Sequence, residues 1–174
     1  MTIKEAESLI KSNNIKADAK STWADLGCGS GIFTNALATM LPPQSTIYAI
    51  DKNIGAFENL ASSAGININL MKLNFEKDNL PLQNLDGILM ANSLHYVKDK
   101  KSFIERIKKH LVDDGSFLIV EYDLEIANPW VPYPVSFLGL KRLFINSGFS
   151  SVQKISERPS SFRRANLYSA MIRI

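Results

Sequence analysis

The 174-residue sequence predicts an α/β protein built on a doubly wound, mostly parallel sheet. Strand-like and helix-like segments alternate along the chain, which is typical of a parallel sheet covered by helices on both faces. Gly27, Gly29 and Gly31 follow the first predicted strand, at the sheet edge where such folds bind ligands. The last two predicted strands are too close in sequence for a helix between them, so we expect an antiparallel hairpin.

The first half of the chain begins with a helix and then alternates. Residues 4–12 predict an amphipathic helix, because Ala6, Leu9 and Ile10 share one face. Proline and glycine mark the ends of the segments that follow. In order, these are a strand at Thr22–Leu26, a helix at Ile32–Leu41, a strand at Thr46–Ile50, a helix at Ile54–Ser63 and a strand at Ile68–Leu73.

The second half continues the alternation and then breaks it. Phe103, Ile104, Ile107 and Leu111 share one face of a predicted helix. Aspartates and glycine at 113–115 predict a turn. The elements are a strand at Leu85–Ala91, a helix at Asp99–Leu111, a strand at Ser116–Tyr122, a helix at Ser136–Asn146 closed by Gly148, and strands at Val152–Ser156 and Leu167–Ile174.

Composition indicates one soluble domain. A hydrophobic share of 45% and a charged share of 21% are ordinary for a globular protein. We expect residues 1–20 to be a helical segment that precedes a single domain at 21–174. No apolar run approaches the ~18 residues of a membrane span, and the N-terminal segment does not read as a signal peptide. One cysteine and two histidines argue against a disulfide framework and a metal site, and a reducing cytoplasm is the expected location.

Positive charge is concentrated near the C-terminal end. Residues 150–174 hold five basic side chains against Glu157, while the whole chain carries a net charge of +3. Such a region would suit a nucleic acid or an anionic substrate. Because the charges are scattered rather than grouped, a solvated surface is the favoured interpretation.

The glycine-rich stretch WADLGCGSGIFT predicts that a nucleotide-like ligand approaches the backbone closely. It is not an intact dinucleotide fingerprint, because Ile32 stands where GxGxxG has its third glycine, and it is not a P-loop. Asp51 closes the second strand 20 positions after Gly31. A carboxylate there can accept hydrogen bonds from ribose hydroxyls, although it could also cap a helix. Asp25 would repel a pyrophosphate and attract a cationic amino group.

Three segments carry a resemblance to a known family: ADLGCGSG, YAIDKN and LDGILMANSLHYV. Together they resemble the class I S-adenosylmethionine-dependent methyltransferases, and most closely the small-molecule branch that includes the type 11 enzymes. The resemblance runs from about Ser21 to Ile174. It implies a Rossmann-like methyltransferase fold of seven strands, the last of which is antiparallel, and S-adenosylmethionine as cofactor.

The resemblance also implies which residues surround the methionine and the reactive sulfonium. Around the methionine they are Asp25, Gly27, Cys28, Gly29 and Gly31. We expect Cys28 to be a small packed residue rather than a nucleophile, because the sequence places no base for it. Around the sulfonium the implied residues are Ala91, Asn92 and Ser93.

Further residues are implied at the adenosine. Asp51 would hold the ribose, with Lys52 and Asn53 beside it. Asn74 and Phe75 follow the third strand, where the family usually places an acid that bonds the adenine amino group. Asn74 departs from that pattern, but its side-chain oxygen can still accept the bond.

Methyl transfer needs a base only when the acceptor is weakly acidic. His95 follows the fourth strand and is our candidate catalytic base, with a packing role as the competing interpretation. Glu121 and Asp123 end the fifth strand, where they could bind a cation or simply be solvated. Tyr122, at the same edge, is a candidate substrate contact.

The segment NPWVPYP (Asn128–Pro134) is stiffened by prolines and offers the aromatic side chains of Trp130 and Tyr133. It predicts a wall of the substrate pocket or a rigid connector. It does not occupy the position of the NPPY-type motif of nucleic-acid methyltransferases, which would follow strand four.

The sequence therefore predicts a methyltransferase acting on a small molecule. The alternatives are an RNA or protein methyltransferase using the basic C-terminal region, and a non-catalytic subunit that binds cofactor or a partner chain. A nicotinamide oxidoreductase is disfavoured by the broken fingerprint. No membrane association is expected, and the oligomeric state is left open.

Overall fold

A computed structural model describes residues 1–12, 15, 18–58, 65–160 and 165–174. The described residues form one seven-stranded sheet in the order β3-β2-β1-β4-β5-β7-β6. The strands are β1 (Thr22–Leu26), β2 (Thr46–Asp51), β3 (Asn67–Lys72), β4 (Leu85–Ala91), β5 (Leu111–Tyr122), β6 (Ser151–Pro159) and β7 (Asn166–Arg173). β1 to β5 pair in parallel, and β7 is antiparallel to both β5 and β6. The predicted fold class and terminal hairpin are confirmed.

Helices cover both faces of this sheet. They are α1 (Ile3–Ile10), α2 (Ile32–Ala38), α3 (Lys100–Lys108) and α4 (Phe137–Asn146), and a 3₁₀ turn spans Leu94–Tyr96. Each α-helix begins at a residue whose backbone or side chain suits a helix start, most clearly Thr2, whose hydroxyl accepts from the Glu5 amide while the Glu5 carboxylate accepts from Thr2. Within the described part of the chain, no helix has the length and apolarity to cross a membrane.

Two apolar clusters sandwich the sheet. Successive residues of β1 point to opposite faces, so Trp23 packs with α1 and α2 while Ala24 packs with α3 and α4. Burial on both faces explains why the central strands read as nearly continuous apolar runs. The rigid sheet fixes the positions of the polar residues at its carboxyl-terminal edge.

The helix predicted at Ile54–Ser63 is not formed over residues 54–58, and 59–63 lie outside the described residues. The Asn53 side chain accepts from the Gly55 amide, which favours a turn over a helix. The Glu58 amide then donates to the Ser30 carbonyl at 3.0 Å, and the Glu58 carbonyl accepts from the Asn35 side chain. Tertiary bonds to the glycine turn therefore override the helical pattern.

The region between α3 and β5 also differs from its prediction. The helix ends at Lys108, three residues before Leu111, because Leu111 already pairs with Leu85 of β4. The turn predicted at residues 113–115 is instead part of β5, which bulges between the Leu85 and Gly87 pairings. The aspartates and glycine sit in this irregularity. The other elements match their predictions within a few residues, and α2 ends at Ala38 rather than Leu41.

Candidate active site

The glycine turn between β1 and α2 has a backbone conformation that favours glycine over other residues. Gly27, Gly29 and Gly31 have φ angles of +87°, +52° and +86°. A Cβ on Gly27 would lie 2.5 Å from the Ser93 Cβ, and one on Gly31 would lie 2.7 Å from the Phe57 ring. A Cβ on Gly29 would meet nothing within 4 Å. Gly27 and Gly31 thus permit close packing, whereas Gly29 leaves open space above the turn.

Asp51 holds this turn in place. Its Oδ2 accepts a hydrogen bond from the Gly29 amide at 3.0 Å, and its Oδ1 accepts from the Asn53 amide at 2.9 Å. The amides of Gly27 and Cys28 both donate to the Ile50 carbonyl, at the end of the same strand. Each carboxylate oxygen keeps acceptor capacity for a ligand hydroxyl.

A cavity of about 580 Å³ opens over the turn, and we call it the glycine-turn cavity. Of the residues predicted to bind cofactor, those that line it are Gly27, Cys28, Gly29, Asp51, Ala91 and Asn92. Its outer rim is formed by α1 and the end of β6, where Arg158 donates to the Glu5 carboxylate at 2.9 Å. This ion pair joins the N-terminal helix to the last hairpin across the cavity mouth.

Asp25 lies beneath the turn rather than in the cavity wall. It is 1% exposed, and its Oδ2 accepts from the Thr34 hydroxyl at 2.6 Å. Its Oδ1 is buried without a hydrogen-bond partner. Burial raises the pKa of the Asp25 carboxyl from its ordinary value of 3.8 to about 7, partly offset by Thr34 and reinforced by the Asp51 charge. The structure thus holds a buried, incompletely paired carboxyl that a nearby cation would stabilise.

Several other predicted cofactor residues do not line the cavity. Gly31 serves as the N-cap of α2 and packs under Phe57. Lys52 is exposed. The hydroxyl of Ser93, predicted at the sulfonium, donates to the Leu26 carbonyl at 2.6 Å, which ties the end of β4 to the end of β1.

The Asn74 side chain is engaged within its own loop. Its Oδ1 accepts from the Glu76 amide at 3.1 Å, and the Asn74 carbonyl accepts from two later amides of the same turn. Phe75 packs its ring edge against Phe103, with 5.9 Å between ring centroids. A Cβ on Gly27 would lie 3.3 Å from that Phe75 ring, so Phe75 does border the glycine turn from the side.

His95 and Glu121 form a buried pair. His95 Nδ1 lies 2.7 Å from Glu121 Oε2, and the His95 amide donates to Glu121 Oε1 at 3.0 Å. The two residues are 2% and 1% exposed. Because a carboxylate only accepts, the proton of the neutral imidazole resides on Nδ1, and Nε2 is left with a lone pair. The carboxylate therefore fixes both the ring position and its tautomer.

A second cavity, of about 560 Å³, adjoins the first, and we call it the tryptophan cavity. His95, Tyr122 and Trp130 line it, and the Trp130 side chain is 77% exposed at its mouth. Tyr133, predicted to contact substrate, is not among the lining residues. Its amide donates to the His95 carbonyl at 3.0 Å, and its carbonyl accepts from Lys100 at 2.7 Å. The proline-rich segment is thus partly a wall and partly a brace for His95.

Four residues line both cavities and form their junction: Asn92, Tyr96, Tyr122 and Ser160. Asn92 has a φ of +54°, an uncommon conformation in which asparagine is favoured over most side chains. The Asn92 Oδ1 and the Ser160 Oγ are buried without a hydrogen-bond partner. Burial, and the neighbouring Glu121 charge, raise the pKa of the Tyr122 hydroxyl, so that it remains protonated.

Cys28 is buried at 8% exposure in the wall of the glycine-turn cavity. Burial, with the Asp25 and Asp51 charges, raises the pKa of its thiol far above the usual range. A neutral thiol is a poor nucleophile, so the environment agrees with the packing role expected from the sequence.

Comparison with known proteins identifies the family. Residues 24–117, more than half of the chain, match the family model described as a methyltransferase domain. The chain belongs to the class I S-adenosylmethionine-dependent methyltransferases. S-adenosylmethionine is the cofactor of this family.

Individual relatives are distant. The chain is 26% identical over 125 residues to probable polyketide synthase 5 of Dictyostelium discoideum, covering 68% of this chain and 4% of that protein. The Burkholderia thailandensis 1,6-didemethyltoxoflavin-N1-methyltransferase, solved with 1,6-didemethyltoxoflavin and S-adenosylhomocysteine, superposes with a TM-score of 0.73 at 17% identity over 98% of this chain and 77% of its own. Phosphoethanolamine N-methyltransferase 2 of Haemonchus contortus, solved with S-adenosyl-L-methionine, superposes with a TM-score of 0.73 at 11% identity. The match covers 98% of this chain and 52% of that protein.

The residues of this methyltransferase fit the family cofactor. The buried Asp25 oxygen without a partner matches a donor such as the cofactor ammonium group. The open space at Gly29 admits a ligand against the backbone, and Asp51 offers acceptors at the adjacent strand end. The Asp51 carboxylate in the wall of the glycine-turn cavity also suits a sulfonium cation.

Sequence reasoning missed the partner of His95 and the residues at the cavity rim. The sequence predicts a cation ligand or a solvated acid at Glu121, because it does not show which strand ends face each other. A signal existed, however: both residues follow or end strands that are adjacent in this fold, β4 and β5. Ser160 and the Glu5–Arg158 pair carried no such signal.

Proposed function

We propose that this chain transfers a methyl group from S-adenosylmethionine to a small-molecule acceptor, with His95 as general base. The observation that carries the proposal is the buried His95–Glu121 pair at the wall of a cavity that adjoins the glycine turn. A histidine with only a packing role would not need a carboxylate that fixes both its backbone amide and its ring.

Glu121 sets the chemistry of His95 in this proposal. Its two oxygens receive the backbone amide and Nδ1–H of the same residue, so the ring cannot rotate without breaking a bond. Nε2 then takes the proton from the acceptor as the acceptor attacks the methyl group, and the Glu121 charge stabilises the imidazolium that forms. Such a base is useful for an acceptor with a weakly acidic O–H, N–H or C–H group.

The other residues position the reactants. S-adenosylmethionine, when bound, supplies an electrophilic methyl group on a sulfonium centre. Asp51 would hold the ribose, the open backbone at Gly29 would admit the methionine part, and the charge of Asp25 beneath the turn would attract the amino group. Ala91 and Asn92 would border the junction where the two reactants meet and help to position them.

The tryptophan cavity supports a small acceptor. Its volume of about 560 Å³ is that of a pocket for a drug-sized molecule. Most of its wall away from the junction is apolar, with Leu124, Pro129 and Val131 beside the indole of Trp130. Small molecules are named for both solved methyltransferases described above.

The basic C-terminal region gives less support to a nucleic-acid acceptor. Arg158 pairs with Glu5, and Lys154 pairs with Glu157 at 2.6 Å. Those charges are neutralised within the described part of the chain. Arg163 and Arg164 lie outside the described residues.

The decisive experiment compares the wild type with Glu121→Gln. In this variant the amide oxygen can still accept from the His95 backbone, but its NH₂ group faces Nδ1 and forces the proton onto Nε2. We expect turnover to fall by ~10²–10⁴-fold, with the affinity for S-adenosylhomocysteine unchanged. His95→Gln should show the same loss.

Turnover is measured as S-adenosylhomocysteine release with three probe acceptors: a phenol, a 1,3-dicarbonyl compound and a primary amine. Glu125→Gln is the matched control, because Glu125 lies close in sequence but outside both cavities. Full activity of Glu121→Gln would contradict the role of the pair. Cofactor binding without turnover of any probe would favour the non-catalytic alternative.

A further inference from the structure

The junction of the two cavities contains two buried polar atoms that the protein itself leaves unpaired. Asn92 Oδ1 and Ser160 Oγ each lie in a residue that lines both cavities, and neither has a hydrogen-bond partner. Buried polar atoms in folded proteins are almost always paired, with protein or with something bound. Two such atoms at one junction point to a ligand group that pairs with them.

Both residues are held in place by their backbones rather than by their side chains. The Asn92 amide donates to the Val120 carbonyl at 2.8 Å, and the neighbouring Ser93 hydroxyl is bonded to β1. The Ser160 amide donates to the Ala165 carbonyl at 3.1 Å. Pro159, which directly precedes Ser160, restricts the backbone at that point. The two side chains are therefore positioned in advance and free to bind a ligand.

The chemistry of these atoms restricts the ligand. An amide oxygen accepts a hydrogen bond, and a hydroxyl both donates and accepts. Their natural complement is a group that offers both an N–H or O–H donor and an oxygen acceptor.

The charges around the junction restrict it further. The carboxylates of Asp51 and Glu5 line the glycine-turn cavity, Asp25 lies beneath the turn, and Glu121 lies behind His95. Among the described residues that line either cavity, the cationic groups are the Arg158 side chain, which is already paired with Glu5, and the N-terminal amino group of Met1. Among the described residues, Asp51, Glu5 and Glu121 outnumber these two cationic groups, so an anionic ligand would meet a net negative field, whereas a neutral one would not.

We infer that Asn92 and Ser160 are acceptor-positioning residues that bind a neutral donor–acceptor group, such as an amide or a hydroxy-carbonyl, on a molecule whose apolar body occupies the tryptophan cavity. The inference rests on the proposed function only in naming the ligand as the methyl acceptor. It predicts that a carboxylate or a phosphate binds more weakly at the junction.

Two probes of the same shape test this: benzamide, which is neutral and has both a donor and an acceptor, and benzoate, which is an anion. Each is titrated into the protein saturated with S-adenosylhomocysteine, and binding is followed by tryptophan fluorescence. Trp130 reports on the tryptophan cavity, and the Trp130→Phe variant identifies its share of the signal, because the second tryptophan, Trp23, is buried in the core.

We expect benzamide to quench Trp130 and to bind more tightly than benzoate. Ser160→Ala and Asn92→Gly should each weaken benzamide by about fivefold, the usual worth of one hydrogen bond, and leave benzoate unchanged. Glycine is chosen at position 92 because it adopts the positive φ without strain. Ser156→Ala is the control, since Ser156 lies on β6, just before Ser160 in the chain, but lines neither cavity.

Three results would overturn the inference: benzoate binding as tightly as benzamide, no quenching by benzamide, or benzamide affinities unaffected by both substitutions. Preserved binding of S-adenosylhomocysteine shows that each variant is folded. If Ser160→Ala weakens S-adenosylhomocysteine instead, Ser160 belongs to the cofactor and the assignment is wrong. Because the readout is binding, a failure of methyl transfer would leave this result separate from the proposed function.

Discussion

The buried carboxyl of Asp25 predicts a specific pH dependence of stability. Its pKa is raised from 3.8 to about 7, mainly because burial disfavours the charged form. The folded state therefore binds more protons than the unfolded state between those values, and the stability of the ligand-free protein should fall as pH rises from about 4 to about 7. At about 1.36 kcal/mol per pH unit of pKa difference, the loss amounts to roughly 4 kcal/mol.

The Asp25→Asn variant removes this titration and keeps an acceptor for the Thr34 hydroxyl. We expect urea denaturation of the ligand-free variant to lack the fall seen in the wild type between about pH 4 and about pH 7. An unpaired Asn NH₂ group costs about 1–3 kcal/mol at every pH, so the slope of stability with pH is the diagnostic quantity. Asp86→Asn is the control, because the Asp86 carboxylate accepts from the Thr22 amide at the opposite edge of the sheet.

Cofactor binding should respond in the opposite way. If Asp25 pairs with the cofactor amino group, S-adenosylhomocysteine needs the ionised carboxylate, and its affinity for the wild type should weaken as pH falls below about 7. The Asn variant should bind about 10- to 150-fold more weakly at neutral pH, the equivalent of one charge-assisted hydrogen bond. Calorimetric titration measures both. Equal slopes of stability with pH in the two proteins, or equal affinities, would refute the reasoning.

Three further predictions concern the glycine turn and its supports. Asp51→Ala should weaken S-adenosylhomocysteine binding by about 1.5–3 kcal/mol per lost ribose bond, measured by calorimetry; unchanged affinity would remove the ribose assignment. Cys28 should resist iodoacetamide at about pH 8 until the protein is unfolded in urea, because burial raises the thiol pKa, and rapid alkylation of the native protein would contradict this. Arg106 donates to three carbonyl oxygens in the loop after β3, so Arg106→Met should weaken cofactor binding severalfold while the exposed control Lys101→Met does not; equal affinities would show that this loop does not position the cofactor.

The sequence was most informative where local and global signals agree. The strands of the sheet are short apolar runs, and their alternation with helices was sufficient to predict the class of fold, the hairpin and the edge that holds the site. Gly27, Gly29 and the strand-end Asp51 line one cavity at that edge. Local signals failed at Ile54–Glu58, where bonds to Ser30 and Asn35 outweigh helical periodicity.

What the sequence could not predict were contacts between distant segments. Glu121 and His95 are 26 residues apart, and their pairing depends on β4 and β5 being neighbours in exact register. Glu5 and Arg158 are 153 residues apart. Tyr133 is the opposite case. Its aromatic side chain predicts a residue of the pocket wall, but Tyr133 does not line the cavity, and its backbone amide donates to the His95 carbonyl instead.

The unpaired polar atoms give a physical reason to regard the junction as a binding site. Within the described residues, three buried side-chain atoms lack a hydrogen-bond partner, and they belong to Asp25, Asn92 and Ser160. Each unpaired buried group costs about 1–3 kcal/mol of stability, so a fold selected for stability alone would not retain them together around one pair of cavities. A ligand that forms hydrogen bonds with these atoms removes that cost, and the recovered free energy contributes to its binding affinity. Cofactor should therefore raise the melting temperature through Asp25, and an acceptor should raise it further through Asn92 and Ser160, with each increment lost only in the corresponding variant.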